Sequence, residues 1–438
     1  MRRKEVFAWA MYDWANSAFS TLLITVVLHY LEEVVLPGRL GASIFAWGIG
    51  GAMLISAVLS PIVGAMADAN RSKRRWLALT AFGGAIAAAL MALLPLSQAW
   101  LIVAAFVLMT VCFELSLVPY NGFLVEIAEA EMLNRVSTWG FALGYFGGAI
   151  PLALAWLLCR WEDKVSLLVE GGCQRAGLLL LGLWWAVFSL PAVLILRDRD
   201  AATVRPPQPF LPVAKAAFIE VYRTLRSIRR FPALALFLLA FLFYNDGMRT
   251  VITQANTLAN KELNFSLDEM CALVLTIQLV ALPASLAVGR LADIWGLKPV
   301  VLGCLVVWSG LLAAATYVES KPQLWVLGMV LAGVLGGTQA VSRALMAWLT
   351  PQSRAAEYFG FYALSGKAAS VLGPTQFGFV FYLTGNARWA AISILLFFLI
   401  GGCLLWHVDV AAGRRQSLES NAGLLRQESM REAAARKR

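Results

Sequence analysis

The sequence predicts an all-α membrane protein with twelve transmembrane helices in two pseudo-symmetric six-helix halves, and three observations support this fold class. First, 60% of the 438 residues are hydrophobic and only 14% are charged, whereas a soluble domain has about 25% charged residues. Second, the apolar residues form long continuous runs rather than the short alternating segments of a transmembrane β-barrel. Third, motifs of the first half recur in the same order in the second half.

Each predicted helix corresponds to one apolar run, because crossing a bilayer takes about 20 mainly apolar residues. The runs cover residues 6–31, 43–66, 76–95, 100–120, 137–158, 176–196, 232–257, 268–291, 299–318, 324–347, 358–383 and 388–407. The first run follows three basic residues, as a signal peptide would. It is long and has no small-residue cleavage site, so we expect it to remain in the mature protein.

These runs divide the chain into four parts. We expect an N-terminal half at 1–196, a linker at 197–231, a C-terminal half at 232–407 and a tail at 408–438. Only the linker and the tail are long enough to hold anything besides spans and short loops. A soluble enzyme domain and an enzymatic function are therefore not expected.

The linker and the tail are rich in charge. In the linker, Phe218, Val221, Leu225 and Ile228 recur at helical spacing while basic residues occupy the other face. This pattern favours an amphipathic helix in contact with membrane lipid, with a plain solvated linker as the alternative. We expect the tail to be a frayed surface helix or disordered.

The distribution of basic residues predicts the orientation. Of 36 Lys and Arg residues, 27 fall on the side of the N-terminus, seven on the other side, and two, Arg249 and Lys367, within spans. Cytoplasmic loops carry the excess of Lys and Arg, so both termini are expected in the cytoplasm, with the protein in the cell (inner) membrane. The net charge of +10 is thereby explained by topology, and no nucleic-acid partner is expected.

The six cysteines and two histidines do not form a cofactor motif. They lack CxxC and Cys/His spacing, so neither a metal site nor any other cofactor is expected. No nucleotide-binding loop is present that would indicate ATP drive. Cys159 and Cys173 bracket the loop between the fifth and sixth spans, on the side expected to be oxidising. We hypothesise a disulfide between them, with two packed thiols as the alternative.

Three motif pairs carry the internal repeat. Tyr12-Asp13 is echoed by Tyr244-Asn245-Asp246, Gly64 to Asp68 by Gly289 to Asp293, and Trp139 to Gly144 by Phe359 to Leu364. Two six-helix halves joined by a basic linker resemble the major facilitator superfamily, whose signature loop has the form G-x-x-x-D followed by basic residues. The resemblance implies that both loops latch helices on the cytoplasmic side and that their aspartates contact basic residues.

Further motifs resemble one branch of that superfamily. They are Trp9 to Ser17, Tyr244 to Gly247, Gly336 to Arg343, Glu357 to Gly360, and Gly366-Lys367. Together they are similar to the vacuole-effluxer branch, named for fungal autophagy-related proteins that release amino acids from the vacuole. This resemblance implies the major facilitator fold and a secondary transport mechanism.

Polar residues within the apolar spans are the candidate site, because an ionisable side chain at membrane depth is costly unless it is paired or hydrated. The candidates for binding substrate or a coupling ion are Asp13, Asn16, Ser17, Glu114, Tyr244, Asn245, Asp246, Arg249, Gln339 and Lys367. The candidates for gating are Gly64, Asp68, Gly289, Asp293 and Arg343. We expect Asp13 and Asp246 to line a central cavity, with at least one of them coupling protons to transport.

Structural alternatives exist for each charge. Asp246 and Arg249 can form a pair within one helix, and Asp13 can fix the first span against the bundle. Glu114 is either a proton carrier or the partner of Lys367 or of an arginine. Arg343 is either a gate residue or a snorkelling anchor at the membrane edge, and the anchor is preferred. The spaced glycines Gly140, Gly144, Gly148, Gly333 and Gly337 are expected to serve helix packing.

The sequence therefore predicts a monomeric secondary transporter that alternates access to a midplane site. A cavity with both carboxylates and cations suits a small polar or zwitterionic solute, such as an amino acid, and the proton is the expected coupling ion. An exporter of another small metabolite is the main rival within transport. A transport-inactive membrane sensor or scaffold with the same fold is the rival from a different class.

Overall fold

The computed structural model describes residues 3–37, 39–161, 172–198, 231–257, 263, 265, 267–384, 389 and 392–421. The regular elements in these ranges are helices. The first six are α1 (Arg3–Leu22), α2 (Arg39–Ala69), α3 (Lys73–Leu93), α4 (Ala99–Ile127), α5 (Leu133–Arg160) and α6 (Gly172–Ile195). The next six are α7 (Pro232–Thr257), α8 (Leu267–Trp295), α9 (Leu297–Ala315), α10 (Lys321–Leu349), α11 (Ala355–Thr384) and α12 (Leu395–Trp406). A last helix, α13, covers Val410–Asn421.

The helices follow the apolar runs of the sequence. Ten described helices are long and apolar enough to cross a membrane, and α12 with α13 forms an eleventh candidate that bends by 64°. Helix α11 has 30 residues. Helix α1 continues to Val35 through two π-helical turns. Each of the twelve predicted spans overlaps one of α1 to α12, which confirms the predicted fold class; the last predicted span begins in residues outside the described ranges.

Helices α1 to α6 pack mainly with one another, as do α7 to α12. The two halves meet where α2 and α4 contact α11 and where α5 contacts α8 and α10. Glycines permit the closest of these approaches. A Cβ atom at Gly64 would collide with the Ala356 backbone, and one at Gly360 would lie 2.7 Å from backbone atoms of Ser60 and Pro61. Small residues of this kind let helix backbones approach closely.

We call the face of the bundle that holds Arg3 and α13 the terminal side, and the opposite face the far side. On the terminal side, the Asp293 carboxylate binds Arg135 Nε at 2.9 Å and Asn134 Nδ2 at 2.7 Å, across the two halves. Asp68 binds Lys73 Nζ at 2.6 Å and accepts the Glu357 backbone N–H at 2.8 Å. The contacts expected between the two motif aspartates and basic residues are therefore present. The halves are joined on this side by the contacts of Asp293 and by the bond from the Glu357 backbone to Asp68.

The tail is more ordered than expected as far as Asn421. In α13, Arg414 Nη1 donates to the Trp348 carbonyl at 3.2 Å and Ser417 Oγ to the Thr350 carbonyl at 3.0 Å. Helix α13 is thus docked on the end of α10 rather than frayed. The amphipathic helix predicted in the linker lies outside the described residues.

The structure contains a disulfide between Cys159 and Cys173, with Cα atoms 4.9 Å apart, which confirms the hypothesis drawn from their positions. It joins the far-side ends of α5 and α6. The four other cysteines, at positions 112, 271, 304 and 403, are free thiols.

We predict that alkylation of the denatured protein without reductant modifies the four free thiols and leaves Cys159 and Cys173 joined in one cross-linked peptide. Mass mapping of the digest checks this, and the four free thiols serve as internal controls for reagent access. Recovery of alkylated Cys159 and Cys173 from protein purified without reductant would contradict the disulfide.

Candidate functional site

A central cavity of about 890 Å³ lies between the two halves. Its wall reaches from Arg343 and Asn121 in the interior to Met270 and Val318 near the far-side ends of α8 and α9. The inter-half contacts of Asp293 and Asp68 lie beyond its inner end, on the terminal side. In this conformation the cavity therefore opens toward the far side and is closed toward the terminal side.

An ion pair between the halves forms the inner end of the cavity. Arg343, on α10, is 4% exposed, and its Nη1 and Nη2 both donate to Asp13 Oδ2, on α1, at 3.1 Å. Arg343 Nε donates to Ser137 Oγ at 2.9 Å, and Nη2 donates to the Ser137 carbonyl at 2.7 Å. Arg343 is thus neutralised and hydrogen-bonded at depth, as a buried guanidinium requires. The preferred interpretation of Arg343 as a snorkelling anchor was wrong.

Aromatic rings and one glycine enclose this pair. The Arg343 guanidinium carbon lies 4.7 Å from the Trp9 ring centre and 4.1 Å from that of Phe141, distances at which a cation is attracted to a ring face. A Cβ atom at Gly140 would lie 2.6 Å from Asp13 Oδ2 and 2.9 Å from Arg343 Nη2. Gly140 therefore serves packing, as expected, and the contact it permits is with the ion pair itself. Gly333, by contrast, faces open space.

A second buried ion pair also joins the halves. Lys367 Nζ, on α11, lies 3.4 Å from Glu114 Oε2, on α4, and donates to Ser60 Oγ, on α2, at 2.7 Å. Lys367 and Glu114 are 3% and 5% exposed. Of the alternatives for Glu114, the structure shows pairing with Lys367. Glu114 lies in the cavity wall, whereas Lys367 lies behind it.

The polar part of the cavity wall comes from both halves. Asn16 and Ser17 line it as expected, together with Asn245, Arg249 and Gln339. Arg249 is exposed in the wall of this cavity. Tyr145, from the other half, donates its hydroxyl to Gln339 Oε1 at 3.4 Å. The wall therefore presents a cation and several amides to a solute.

Asn121, Tyr145 and Gln278 are among the polar wall residues that sequence reasoning missed. Asn121 Oδ1 and Gln278 Nε2 are buried without a hydrogen-bond partner in the described structure, as is Nδ2 of Asn16. Such atoms are costly unless a ligand or water satisfies them. The available signal was that Gln278 and Asn121 are amides within otherwise apolar runs.

Two predicted residues of α7 do not line the cavity. Tyr244 is buried, and its hydroxyl donates to Ser342 Oγ at 2.8 Å. Asp246 is fully buried, and a Cβ atom added at Gly373 of α11 would lie 3.0 Å from its Oδ1. The structural alternative, a pair between Asp246 and Arg249 within the helix, is not formed: in the described structure neither oxygen of Asp246 has a hydrogen-bond partner. The expectation that Asp246 lines the cavity was wrong.

The arrangement of these residues suits binding of a solute rather than catalysis of a covalent reaction. Within the described ranges, no group of three His, Cys, Asp or Glu side chains could hold a metal ion. The cavity has hydrogen-bond donors and acceptors, one exposed guanidinium, and two ion pairs that link the halves. A solute bound here contacts both halves at once.

We predict that Arg343→Gln lowers the apparent free energy of unfolding by about 3 kcal/mol, because it leaves the Asp13 carboxylate buried without its cation. Thermal unfolding of the purified protein measures this. The matched control is Arg135→Gln, which breaks the more exposed pair with Asp293 and should cost about 1 kcal/mol or less. Equal losses of unfolding free energy in the two variants would contradict the conclusion that Arg343 and Asp13 form the more deeply buried ion pair.

Comparison of the sequence with known proteins identifies a family for this chain. The model of the family described as "Vacuole effluxer Atg22 like" matches residues 40–418. The uncharacterized MFS-type transporter YxiO of Bacillus subtilis (strain 168) is 31% identical over 427 residues, which cover 95% of this chain and 98% of YxiO. Autophagy-related protein 22 of Cryptococcus neoformans is 28% identical over 65% of this chain; the match spans about half of that protein's length.

Solved structures show the same fold at low sequence identity. The human organic anion transporter MFSD10 (TETRAN) superposes with a TM-score of 0.68 at 14% identity, covering 92% of this chain and 99% of that one. The proton:xylose symporter XylE superposes with a TM-score of 0.69 at 12% identity, covering 92% and 94%. These relatives are transporters rather than enzymes. The chain is a multi-pass integral membrane protein of the major facilitator superfamily and belongs to the vacuole effluxer Atg22-like family.

Proposed function

We propose that this chain is a secondary active transporter that moves a small polar or zwitterionic solute, with an amino acid as the candidate, in exchange for or together with protons. The observation that carries the proposal is the cavity between the halves, whose largely apolar wall contains a group of polar side chains and whose inner end is closed by the ion pair of Asp13 with Arg343. A site at the interface of two repeats is the arrangement that alternating access uses.

The cavity wall contains groups that are complementary to both charged ends of a zwitterion. Arg249 is exposed in the wall, and a guanidinium binds a carboxylate in a bidentate manner. The acceptor Asn121 Oδ1 suits an ammonium group, and the donors Asn16 Nδ2 and Gln278 Nε2 suit further oxygens. A purely apolar solute would leave all three amides unsatisfied.

Transport also requires the closed side to open. The ion pairs of Asp13 with Arg343 and of Asp293 with Arg135 cross between the halves on or near the terminal side. We propose that they break when the halves rock and that contacts on the far side replace them. Arg343 and the two motif loops then act as gate elements, and Gly64 and Gly289 permit the close helix contacts that the closed state needs.

We predict that Arg249→Gln raises the KM for counterflow of an amino acid about 10- to 100-fold, because one charge-assisted hydrogen bond contributes about 1.5–3 kcal/mol. Proteoliposomes preloaded with unlabelled solute, screened over the amino acids, measure the uptake of label. Arg197→Gln, which removes an exposed arginine outside the cavity, should leave KM unchanged. Wild-type protein that binds solutes without exchanging label would instead indicate a sensor.

We further propose that the terminal side faces the cytoplasm of a cell whose inner membrane holds the protein. The support is the excess of Lys and Arg on that side. The disulfide between Cys159 and Cys173 lies on the far side, where an oxidising compartment is expected.

We predict that a Ser420→Cys thiol is protected from an impermeant maleimide in intact cells and reacts after permeabilisation, because Ser420 lies in α13 on the terminal side. Tyr317→Cys, at the exposed far-side end of α9, is the matched control and should react in intact cells. Both are made with the free cysteines replaced by serine. Labelling of Ser420→Cys in intact cells would overturn the orientation.

A further inference from the structure

We propose that Asp246 is the residue that carries the coupled proton, at a site between α7 and α11 that lies outside the central cavity. This inference rests on the proposed proton-coupled transport and deepens it by assigning the proton to one carboxyl group. It separates the proton site from the solute site, which the sequence alone had placed together.

The surroundings of the Asp246 side chain are the primary observation. Asp246 is 0% exposed, and neither of its carboxyl oxygens has a hydrogen-bond partner in the described structure. The Gly373 amide approaches the carboxyl group without meeting hydrogen-bond geometry. Thr250, one helical turn along α7, is 2% exposed, and its Oγ1 also has no partner. Two unsatisfied polar side chains therefore face the same point of α11.

The other two carboxylates predicted to be functional within the spans are already paired. Asp13 binds Arg343 at 3.1 Å, and Glu114 lies 3.4 Å from Lys367. Protonating either would leave a cation buried without its partner, which is costly. An ionised Asp246 is the costly form at its own site, because a buried carboxylate needs a cation or several hydrogen bonds. Proton uptake by Asp246 converts the carboxylate to a neutral carboxyl group, with no other bond made or broken.

The tight packing at this site favours a proton over a metal cation. A Cβ atom at Gly373 would collide with Thr250 Oγ1 and would lie 3.0 Å from Asp246 Oδ1. Asp246 is absent from the wall of the central cavity. A bound sodium ion needs several oxygen ligands and its own volume, whereas a proton needs only a carboxyl oxygen. The Thr250 hydroxyl faces the same point of α11 as the Asp246 carboxyl group, so in this proposal it accepts a hydrogen bond from that group once the proton is bound.

Among the residues that the structure describes, the following charged and titratable groups of the surrounding helices are engaged elsewhere or lie toward the cavity. Helix α11 carries Lys367, bound to Glu114, and Tyr362, which lines the cavity. Helix α10 carries Arg343, bound to Asp13. Helix α12 presents Phe398 to the neighbouring Gly247. On α7 itself, Tyr244 donates to Ser342, and Arg249 lies one turn from Asp246.

Arg249 provides the connection between solute and proton. It lines the cavity and lies one helical turn from Asp246 on α7, a separation over which its charge acts on the carboxyl group. A solute carboxylate that binds Arg249 offsets its positive charge, so the neutral, protonated form of Asp246 is favoured when solute is bound. Solute and proton therefore bind together, as coupled transport requires.

The test is transport by Asp246→Asn in proteoliposomes, because asparagine keeps the shape of the side chain and cannot titrate. For one proton per neutral solute, a pH difference of one unit should drive about tenfold accumulation by the wild-type protein. Asp246→Asn should lose this accumulation and retain counterflow exchange. The matched control is Glu319→Gln, which removes an exposed carboxylate of the same half and should accumulate solute as the wild type does.

Infrared difference spectra between high and low pH provide a second measurement that needs no transport. The wild-type protein should show the carbonyl stretch of a protonated carboxylic acid, and Thr250→Val, which keeps the acid but removes its hydrogen-bond acceptor, should shift this band to higher frequency. Undiminished pH-driven accumulation by Asp246→Asn, or an acid band unaffected by Thr250→Val, would overturn the assignment. Wild-type protein without any counterflow would instead refute the proposed function, so the two failures are distinguishable.

Discussion

We propose that the closed terminal side depends on the ion pair between Asp13 and Arg343. It joins the first helix of one half to the fourth helix of the other at 3.1 Å, with both side chains at most 9% exposed. A buried ion pair contributes little net stability, but removing only one of its two charges is costly because the other charge stays buried without a partner. The pair therefore suits a two-state element, in which either both charges meet or both find other partners. The rings of Trp9 and Phe141 contact the guanidinium. Gly140 leaves the space that the ion pair occupies, because a Cβ atom there would crowd both side chains.

The three carboxylates predicted to be functional within the spans sit in two kinds of environment. Asp13 and Glu114 each neutralise a cation from the opposite half, so their charges serve the contact between halves. Asp246 has a glycine backbone opposite it instead of a cation. The division of roles proposed here follows from that difference: two carboxylates hold conformation, one carries a proton, and Arg249 with the wall amides receives the solute.

Most of the fold was predictable from composition and apolar run length, because bilayer thickness sets the length of every span. The polar face of α1 was also predicted correctly, since Asn16 and Ser17 follow Asp13 at helical spacing and do line the cavity. The same reasoning failed for α7. Helix α7 is rotated about its own axis so that Asp246 faces Gly373 of α11. Asn245 and Arg249 then lie in the cavity wall. The partner of Arg343, Asp13, lies 330 residues away in the sequence, and no local sequence pattern encodes a contact over that separation. Asn121 and Gln278 are isolated amides, so no periodic pattern of polar residues marked them as part of the cavity wall.

The central claim is that the pair of Asp13 with Arg343 keeps the terminal side closed. Its most direct test is the distance between spin labels at Asn70, after α2, and Ile294, at the end of α8, measured by double electron–electron resonance in nanodiscs. The account predicts a mainly short distance in the wild-type protein and a larger long-distance population in Arg343→Gln. An unchanged distance distribution in Arg343→Gln would contradict it.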